Sequence, residues 1–142
     1  MIPRNTFKLC ASAALLLGFS LPSPALDRWT ALSLIESGGN DSAVGAAGEI
    51  SRYQLKPAVW RRYAPANADW EDPGVALAVA RKAMSDRTDA FERNHHRPPT
   101  DFEFYVLWNA PAQVLRPSKV VSERAKRFCN LVQMDDAEPR RG

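Results

Sequence analysis

Apolar residues recur at helical spacing in several stretches of this chain, and polar segments rich in Gly or Pro separate those stretches. The first predicted helix covers about residues 28–37 and places Ala31, Leu32 and Ile35 on one face. Asp27 is suited to cap its start, and Gly38-Gly39 ends it, because glycine adopts the left-handed conformation at a helix C-terminus at little cost. The pattern therefore predicts a short amphipathic helix that stops immediately after a glutamate.

The remaining helices are predicted from their start signals as well as from their apolar faces. A short helix begins at Pro57 and runs to about residue 63, and Asp72-Pro73 opens a longer helix that ends near residue 94. The capping-box pattern of Thr100 and Glu103 starts the next helix. The last predicted helix begins after Pro117-Ser118 and runs to about residue 132.

Residues 38–53 contain too many Gly and small side chains for a helix and are predicted to form a loop, with a small hairpin around residues 49–54. The predicted fold class is therefore mainly α, of the α+β type: a helical domain with a loop or small hairpin beside a cleft. Residues 26–134 are predicted to form this single compact domain, and residues 135–142 a polar, flexible tail.

The first 25 residues have the composition of a secretory signal peptide. Arg4 and Lys8 are followed by an apolar run over residues 9–19 and by a cleavage-site pattern that ends at Ala25. The run is shorter than the ~20 residues that a membrane span needs, so no stable membrane insertion is expected after cleavage. The predicted location is therefore periplasmic or secreted. An uncleaved anchor remains the alternative.

Charge and cysteine content exclude some classes of partner. The formal net charge of +3 includes Arg4 and Lys8 of the predicted signal peptide, so it gives no reason to expect a nucleic-acid partner. Beyond that segment the chain has a single cysteine, Cys129, and no internal disulfide is expected. His95-His96 lacks companions at metal-ligand spacing, so no metal or other cofactor is implied. The protein is expected to be a monomer.

Glu36 is the main candidate for chemistry. It lies at the predicted end of a helix, where the partial negative charge of the helix terminus and apolar neighbours both disfavour the ionised carboxylate. Both effects raise the pKa of a carboxyl group, as a general acid near neutral pH requires. From its position alone, Glu36 fits an ordinary solvated side chain at a helix end better, and only the flanking motif favours the chemical role.

The motifs around Glu36 resemble the lytic transglycosylase branch of the lysozyme superfamily. That family reads E-S-x-x-N, then a small-residue loop, then G-L-M-Q-L-M-P-A-T. The chain has Glu36-Ser37-Gly38-Gly39-Asn40, a small-residue loop over residues 43–48, and Gln54-Leu55-Lys56-Pro57-Ala58. Residues 105–111 are similar to the family's A-x-x-A-Y-N-A-G segment. The resemblance extends over about residues 30–132.

The resemblance implies a role for each matched position. Glu36 corresponds to the catalytic acid/base, and Ser37 to the serine that helps to position the substrate or the acid. Gln54 and Asn109 correspond to residues that contact the sugar. A Gln amide offers two donors and an acceptor, which suits hydroxyl and acetamido groups. Bracing of the loop by a buried Gln54 is the alternative.

Two aromatic residues depart from the family pattern. Trp108 stands where the family has a tyrosine whose hydroxyl bonds the catalytic carboxyl, and Tyr53 stands where it has a methionine. These two rings are candidates for a wall on which a pyranose ring stacks. Packing in the core is the alternative for both.

The activity that the resemblance implies is cleavage of the peptidoglycan glycan strand at the β-1,4 bond between N-acetylmuramic acid and N-acetylglucosamine. Glu36 would protonate the glycosidic oxygen and then deprotonate the muramic acid 6-hydroxyl, closing a 1,6-anhydro ring. A hydrolytic muramidase, with Glu49 as the base for water, is the first alternative. A catalytically silent lysozyme-like module that binds glycan is the second, and the absence of Tyr at position 108 motivates it.

Overall fold

A computed structural model describes residues 25–133 of the chain. Within that range the protein is mainly helical, as the sequence pattern predicts. The predicted signal peptide, except for Ala25, and the predicted polar tail lie outside the described residues.

The helices of the described range begin and end close to the predicted positions. The long helix α3 begins at the predicted Pro73 and continues one residue beyond the predicted end. None of these helices combines the length and the hydropathy that crossing a bilayer requires. The bounds are α1, Arg28–Ser37; α2, Pro57–Tyr63; α3, Pro73–His95; α4, Asp101–Asn109; a 3₁₀ turn, Pro111–Gln113; and α5, Lys119–Val132.

The predicted caps are confirmed by the hydrogen bonds at the helix ends. The Asp27 carboxylate accepts from the backbone N–H groups of Trp29 and Thr30, which begins α1. Gly38 ends the same helix in the left-handed conformation, with φ of 67°. At the start of α4, Thr100 and Glu103 form the reciprocal capping box. These local bonds fix both ends of the segments that carry the candidate site.

Helix α4 lies at the centre of the domain and packs against α3 and α5, while α1 packs against α5. Its residues Phe104–Trp108 are all buried. The Phe104 and Tyr105 rings pack against Phe128 of α5, with centroid distances of 5.7 and 5.6 Å. Helix α4 therefore has α3 and α5 beside it, and the packing of α5 against α1 brings the end of α1 into the same region, which positions the site.

The hairpin predicted around residues 49–54 is reduced to isolated antiparallel bridges. Within the described range no β-strand forms, and Ile50 bridges both Val44 and Leu55. The backbone N–H groups of Ile50 and Leu55 each donate to the other residue's carbonyl over 2.9 Å. Between them Ser51 and Gln54 have φ of 68° and 50°, so the chain turns too tightly for a ladder to continue.

Candidate active site

Glu36 lines a cavity of about 510 Å³ between the end of α1, the loop that follows it, and helices α2, α4 and α5. Glu49 and Gln54 of the loop line the same cavity, as do Asn109 at the end of α4 and Arg124 of α5. We call this space the Glu36 cavity. Its volume falls within the range of ~300–1,000 Å³ that is typical of ligand-binding clefts.

The carboxyl group of Glu36 is held by a tyrosine of the central helix. The hydroxyl of Tyr105 donates a hydrogen bond of 2.7 Å to Oε1 of Glu36. Tyr105 is fully buried, with its ring against Phe128, so the hydroxyl has a fixed position. The packing of α4 thereby orients the carboxyl group at the end of α1.

Burial raises the pKa of the Glu36 carboxyl above its ordinary value of 4.5. The Tyr105 hydrogen bond and the positive charge of Arg124 act in the opposite direction, and the negative charge of Glu49 adds to the rise. The direction agrees with the prediction from the sequence, and desolvation is its largest cause. A carboxyl group in this state can act as a general acid at a higher pH than a solvated Glu.

The second carboxyl oxygen of Glu36 is available to a ligand. Among the described residues, Oε2 has no hydrogen-bond partner. No side-chain nitrogen or oxygen of these residues is buried without a partner, so Oε2 retains contact with solvent. The carboxyl group is therefore held through one oxygen and open through the other.

Gln54 occupies the wall of the Glu36 cavity in the way the resemblance implies, and it also braces the loop. Its Nε2 donates to the carbonyls of Ser51, at 3.1 Å, and Ala43, at 3.4 Å. Its Oε1 lies close to Gly45, where a Cβ would come within 2.5 Å of it. Glycine at position 45 thus allows the backbone to approach the amide, and Oε1 remains a candidate acceptor for a ligand.

The structure corrects one half of the role implied for Ser37: it does not line the cavity where a substrate would lie, whereas a part in positioning the neighbouring acid stays a prediction. Its hydroxyl donates to the carbonyl of Arg52 over 2.8 Å and accepts from the backbone N–H of Asn40 over 3.1 Å. Its hydroxyl is thus occupied on both sides, and Ser37 does not line the Glu36 cavity. We assign to it the role of fastening the loop to the end of α1.

The two aromatic candidates differ in position. Trp108 and Asn109 line the Glu36 cavity, whereas Tyr53 does not. Tyr53 is 3% exposed and makes edge contacts with Trp29 and Trp108, at centroid distances of 6.0 and 6.4 Å. The proposed stacking wall at Tyr53 is therefore corrected to core packing, because its ring is enclosed by other rings. Within the described range, Trp108 makes no hydrogen bond to Glu36.

Three residues of the site were not assigned a role by sequence reasoning: Tyr105, Arg124 and Arg87. Tyr105 precedes Trp108 by one helical turn, so both residues lie on one face of α4. That spacing is a signal which could have identified Tyr105 as the source of the hydroxyl. Arg124 and Arg87 come from separate helices, and the sequence gives no sign that they share the cavity.

The arrangement combines a desolvated carboxyl group with amide groups and cationic side chains around one cavity. Within residues 25–133, no group of three or more His, Cys, Asp or Glu side chains is placed to hold a metal ion. Proton transfer by Glu36 is the chemistry that the side chains themselves offer. Comparison of the chain with protein-family models, with curated proteins and with solved structures gives no match.

Proposed function

We propose that this protein is a lysozyme-like enzyme that cleaves the glycan strand of peptidoglycan, with Glu36 as its single acid/base. The observation that carries the proposal is the state of Glu36. Its carboxyl group is desolvated, is held at Oε1 by Tyr105, and is open at Oε2 onto a cavity of suitable size. The motifs at Glu36 and Gln54 supply the resemblance to lytic transglycosylases.

The proposed reaction has two proton transfers at the same carboxyl group. Neutral Glu36 donates its proton to the glycosidic oxygen as the bond to C1 of N-acetylmuramic acid breaks. The resulting carboxylate then takes the proton of that sugar's 6-hydroxyl, whose oxygen bonds C1. Glu36 is neutral again, no water is consumed, and the product carries a 1,6-anhydro ring. The raised pKa favours the first step, and the Tyr105 hydrogen bond stabilises the carboxylate between the steps.

Groups on the cavity wall can hold the sugars during this reaction. Gln54 and Asn109 offer amide donors and acceptors, which match the hydroxyl and acetamido groups of the glycan. The indole of Trp108 offers an apolar surface on the same wall. These groups suit a carbohydrate ligand, and the positive charge of Arg124 on the same wall suits a ligand that carries negative charge.

A hydrolytic muramidase is the second candidate, and the position of Glu49 favours it. Glu49 lines the same cavity as Glu36 and contributes to the rise of its pKa. A second carboxylate near the acid is the usual arrangement for activating water. However, Oε2 of Glu49 already accepts from the backbone N–H of Ala47, at 3.1 Å. This bond holds Glu49 against the loop, and among the described residues no group bonds its Oε1. The resemblance of the motifs around Glu36, rather than the position of Glu49, therefore makes transglycosylation the preferred proposal.

The position of Tyr105 weakens the argument for the remaining alternative, a catalytically silent module that binds glycan. That alternative arose because Trp108 replaces the tyrosine that supports the carboxyl group in the family. In this chain a hydroxyl reaches Glu36 from one turn earlier on the same helix. The supporting contact is thus retained through a different residue.

Mass spectrometry of peptidoglycan digested by the purified protein tests the proposal. Glycan fragments that end in 1,6-anhydro-muramic acid are the expected products, and Glu36→Gln should reduce their formation at least a hundredfold. Reducing muramic acid ends would instead identify the hydrolase. Retention on insoluble peptidoglycan without release of fragments would identify the binding module.

The substrate also fits the expected location of the protein. A signal peptide at residues 1–25 would deliver the enzyme to the periplasm or the medium, where peptidoglycan lies. Sequencing the N-terminus of the exported protein tests this part of the proposal. A start near Leu26 supports it, and a mature form that retains residues 1–25 contradicts it.

A further inference from the structure

A second cavity of about 610 Å³ lies beside the Glu36 cavity, between α2, α3 and the 3₁₀ turn at Pro111–Gln113. We call it the second cavity. Val59, Arg87 and Pro111 line both spaces, so the two cavities adjoin. Glu36 does not line the second cavity, and the mechanism proposed above makes no use of it.

The second cavity differs from the Glu36 cavity in chemistry. Apolar side chains contribute much of its wall, among them Ala90, Phe91, Leu107 and Val114. Among its lining residues, Asn94 alone carries an amide group, the kind of group that suits sugar hydroxyls. The wall therefore suits a ligand with small apolar groups better than another unit of the glycan strand.

Arg87 supplies a positive charge where the two cavities meet. Its Nη1 donates to the carbonyls of Leu107, at 3.0 Å, and Trp108, at 2.6 Å, in the last turn of α4. Among the described residues it forms no ion pair with a carboxylate, and its Nε and Nη2 have no hydrogen-bond partner. Since no side-chain nitrogen of these residues is buried without a partner, both atoms remain open to solvent.

A guanidinium group held in this way is suited to a carboxylate. The two carbonyl contacts fix its plane, while Nε and Nη2 stay free to donate side by side to the two oxygens of one carboxyl group. Arg62 and Asp86 also line the second cavity and form an ion pair with each other, 3.7 Å apart, so Arg87 supplies the positive charge that is not balanced by a carboxylate.

We propose that the second cavity binds the peptide stem of the muramic acid unit whose sugar occupies the Glu36 cavity, with Arg87 on a stem carboxylate. This inference rests on the proposed function. The stem leaves the sugar through its lactyl group and carries methyl side chains and free carboxylates. Those groups match the apolar wall and the unpaired guanidinium, and the adjoining cavities give a path from sugar to peptide.

The inference is tested with Ala90→Phe, which fills the second cavity. Ala90 lines only that cavity, on α3. Ala78→Phe is the matched control, because Ala78 is exposed on the same helix and lines neither cavity. Both variants and the wild type are assayed on glycan strands with peptide stems and on the same strands after an amidase has removed the stems.

The wild type should cleave the strands with stems about tenfold faster than the stripped strands, measured as kcat/KM. Ala90→Phe should lose that preference and should cleave the stripped strands at the wild-type rate. Ala78→Phe should behave as the wild type. Equal cleavage of both substrates by the wild type would overturn the inference and leave the proposed function standing. Equal losses by Ala90→Phe on both substrates would also overturn it, because further sugar units would then occupy the second cavity.

A binding measurement separates this inference from the proposed function. The wild type and Ala90→Phe are titrated calorimetrically with the free stem tetrapeptide. Binding by the wild type that Ala90→Phe reduces at least tenfold supports the stem site, even if neither glycan is cleaved and the proposed activity fails. If the wild type does not bind the tetrapeptide and shows no preference between the strands, the stem site is rejected.

Discussion

The hydroxyl of Tyr105 donates to Oε1 of Glu36 over 2.7 Å, although the two residues are separated by 69 positions in the chain. The bond joins the end of α1 to the buried face of the central helix. It holds the carboxyl group in place and limits the rise of its pKa that burial causes. The contact therefore affects both the geometry and the protonation state of the candidate acid.

Tyr105→Phe removes this hydrogen bond and keeps the ring. We expect the pKa of Glu36 to rise further, because the bond favours the ionised form. The basic limb of the pH–rate profile, where Glu36 loses its proton, should move to higher pH. The rate at the optimum should fall about ten- to a hundredfold, as expected from the loss of a hydrogen bond to a charged group worth ~1.5–3 kcal/mol. Profiles on one peptidoglycan preparation measure both effects.

A second substitution tests whether the hydroxyl itself matters. Tyr105→Phe combined with Trp108→Tyr places a hydroxyl one turn later on α4, where the lytic transglycosylase pattern has it. We expect part of the lost rate to return and the basic limb to move back. If the double variant is no more active than Tyr105→Phe, the position of Tyr105 in the core matters more than its hydroxyl.

Glu36→Gln should change stability in a way that depends on pH. The pKa of Glu36 is raised in the folded state, so the contribution of this group to stability is greatest below pH 4.5, where it is protonated in both states. As pH rises through the raised pKa, the folded state must ionise a buried carboxyl group, and stability is lost. Gln removes that loss and still accepts from Tyr105. The free energy of unfolding, measured in urea, should therefore be larger for the variant than for the wild type at pH 7, but not at pH 4.

The control for this comparison is Glu92→Gln, at an exposed position of α3. Its effect on the unfolding free energy should be equally small at both pH values. If Glu36→Gln is no more stable than the wild type at pH 7, desolvation of Glu36 is not the dominant effect on its pKa.

Glu49→Gln distinguishes the two enzymatic mechanisms. The negative charge of Glu49 raises the pKa of Glu36, so its removal should lower that pKa and move the basic limb to lower pH. A transglycosylase should retain its rate within about tenfold, since Glu49 transfers no proton. A loss of ~10²–10⁴-fold would indicate that Glu49 is the general base of a hydrolase. The pH–rate profile and the mass of the products provide the two readouts.

Gly45→Ala should disturb the wall of the Glu36 cavity. The new Cβ would lie 2.5 Å from Oε1 of Gln54 and would also collide with the Glu49 carboxylate. Both groups are the ends of flexible side chains and must move, at a cost of ~1 kcal/mol in stability through their hydrogen bonds to the loop. We expect a rise in KM of about tenfold. Combining Gly45→Ala with Gln54→Ala should restore part of the stability without restoring KM.

The control is Gly74→Ala in the first turn of α3. Its Cβ would come within 3.2 Å of the side-chain oxygen of Asp72 and would meet nothing in the cavity. Activity should be unchanged. If Gly45→Ala also retains full activity and stability, the close approach of Gln54 to the loop has no functional importance.

Thr100→Ala removes one half of the capping box that begins α4. We expect a loss of ~1 kcal/mol in the free energy of unfolding, because an N-cap side chain satisfies a helix N–H group. Thr100→Ser retains the hydroxyl and serves as the control. Activity per folded molecule should not change, because Thr100 lies at the opposite end of α4 from Asn109. Unfolding in urea and the rate at low temperature measure the two effects.

The carboxyl group of Glu103 extends this prediction to low pH. Its hydrogen bonds with Arg97 lower the pKa of Glu103 from 4.5 to about 2. The stabilisation by the ionised group is present above pH 4.5 and is lost as pH falls toward 2. Because the pair is partly exposed, the loss should be small and should weaken with added salt.

Local signals in the sequence predict most of the fold. Asp27, Asp72 and Thr100 have capping side chains that bond the backbone within three residues, so the helix starts can be read without knowledge of the tertiary structure. Gly38 ends α1 for a reason that is equally local. Of the loop or small hairpin that the sequence predicts, the structure keeps the loop and isolated bridges at Ile50, because Ser51 and Gln54 adopt the left-handed conformation. Two non-glycine residues give no sign of that conformation in the sequence.

The same distinction between local and tertiary information applies to the candidate site. The sequence by itself identifies Glu36 at the end of a helix and Gln54 in the following loop, because both are defined by neighbours close in the chain. Only the tertiary structure decides that Tyr105, rather than Trp108, bonds the carboxyl group, and that Tyr53 is enclosed by other rings. Both residues lie on one face of α4, so the placement of this helix relative to the end of α1 selects which of the two reaches the carboxyl group of Glu36. That placement depends on packing of α4 against α3 and α5, whose partners are distant in sequence, and no local pattern specifies it.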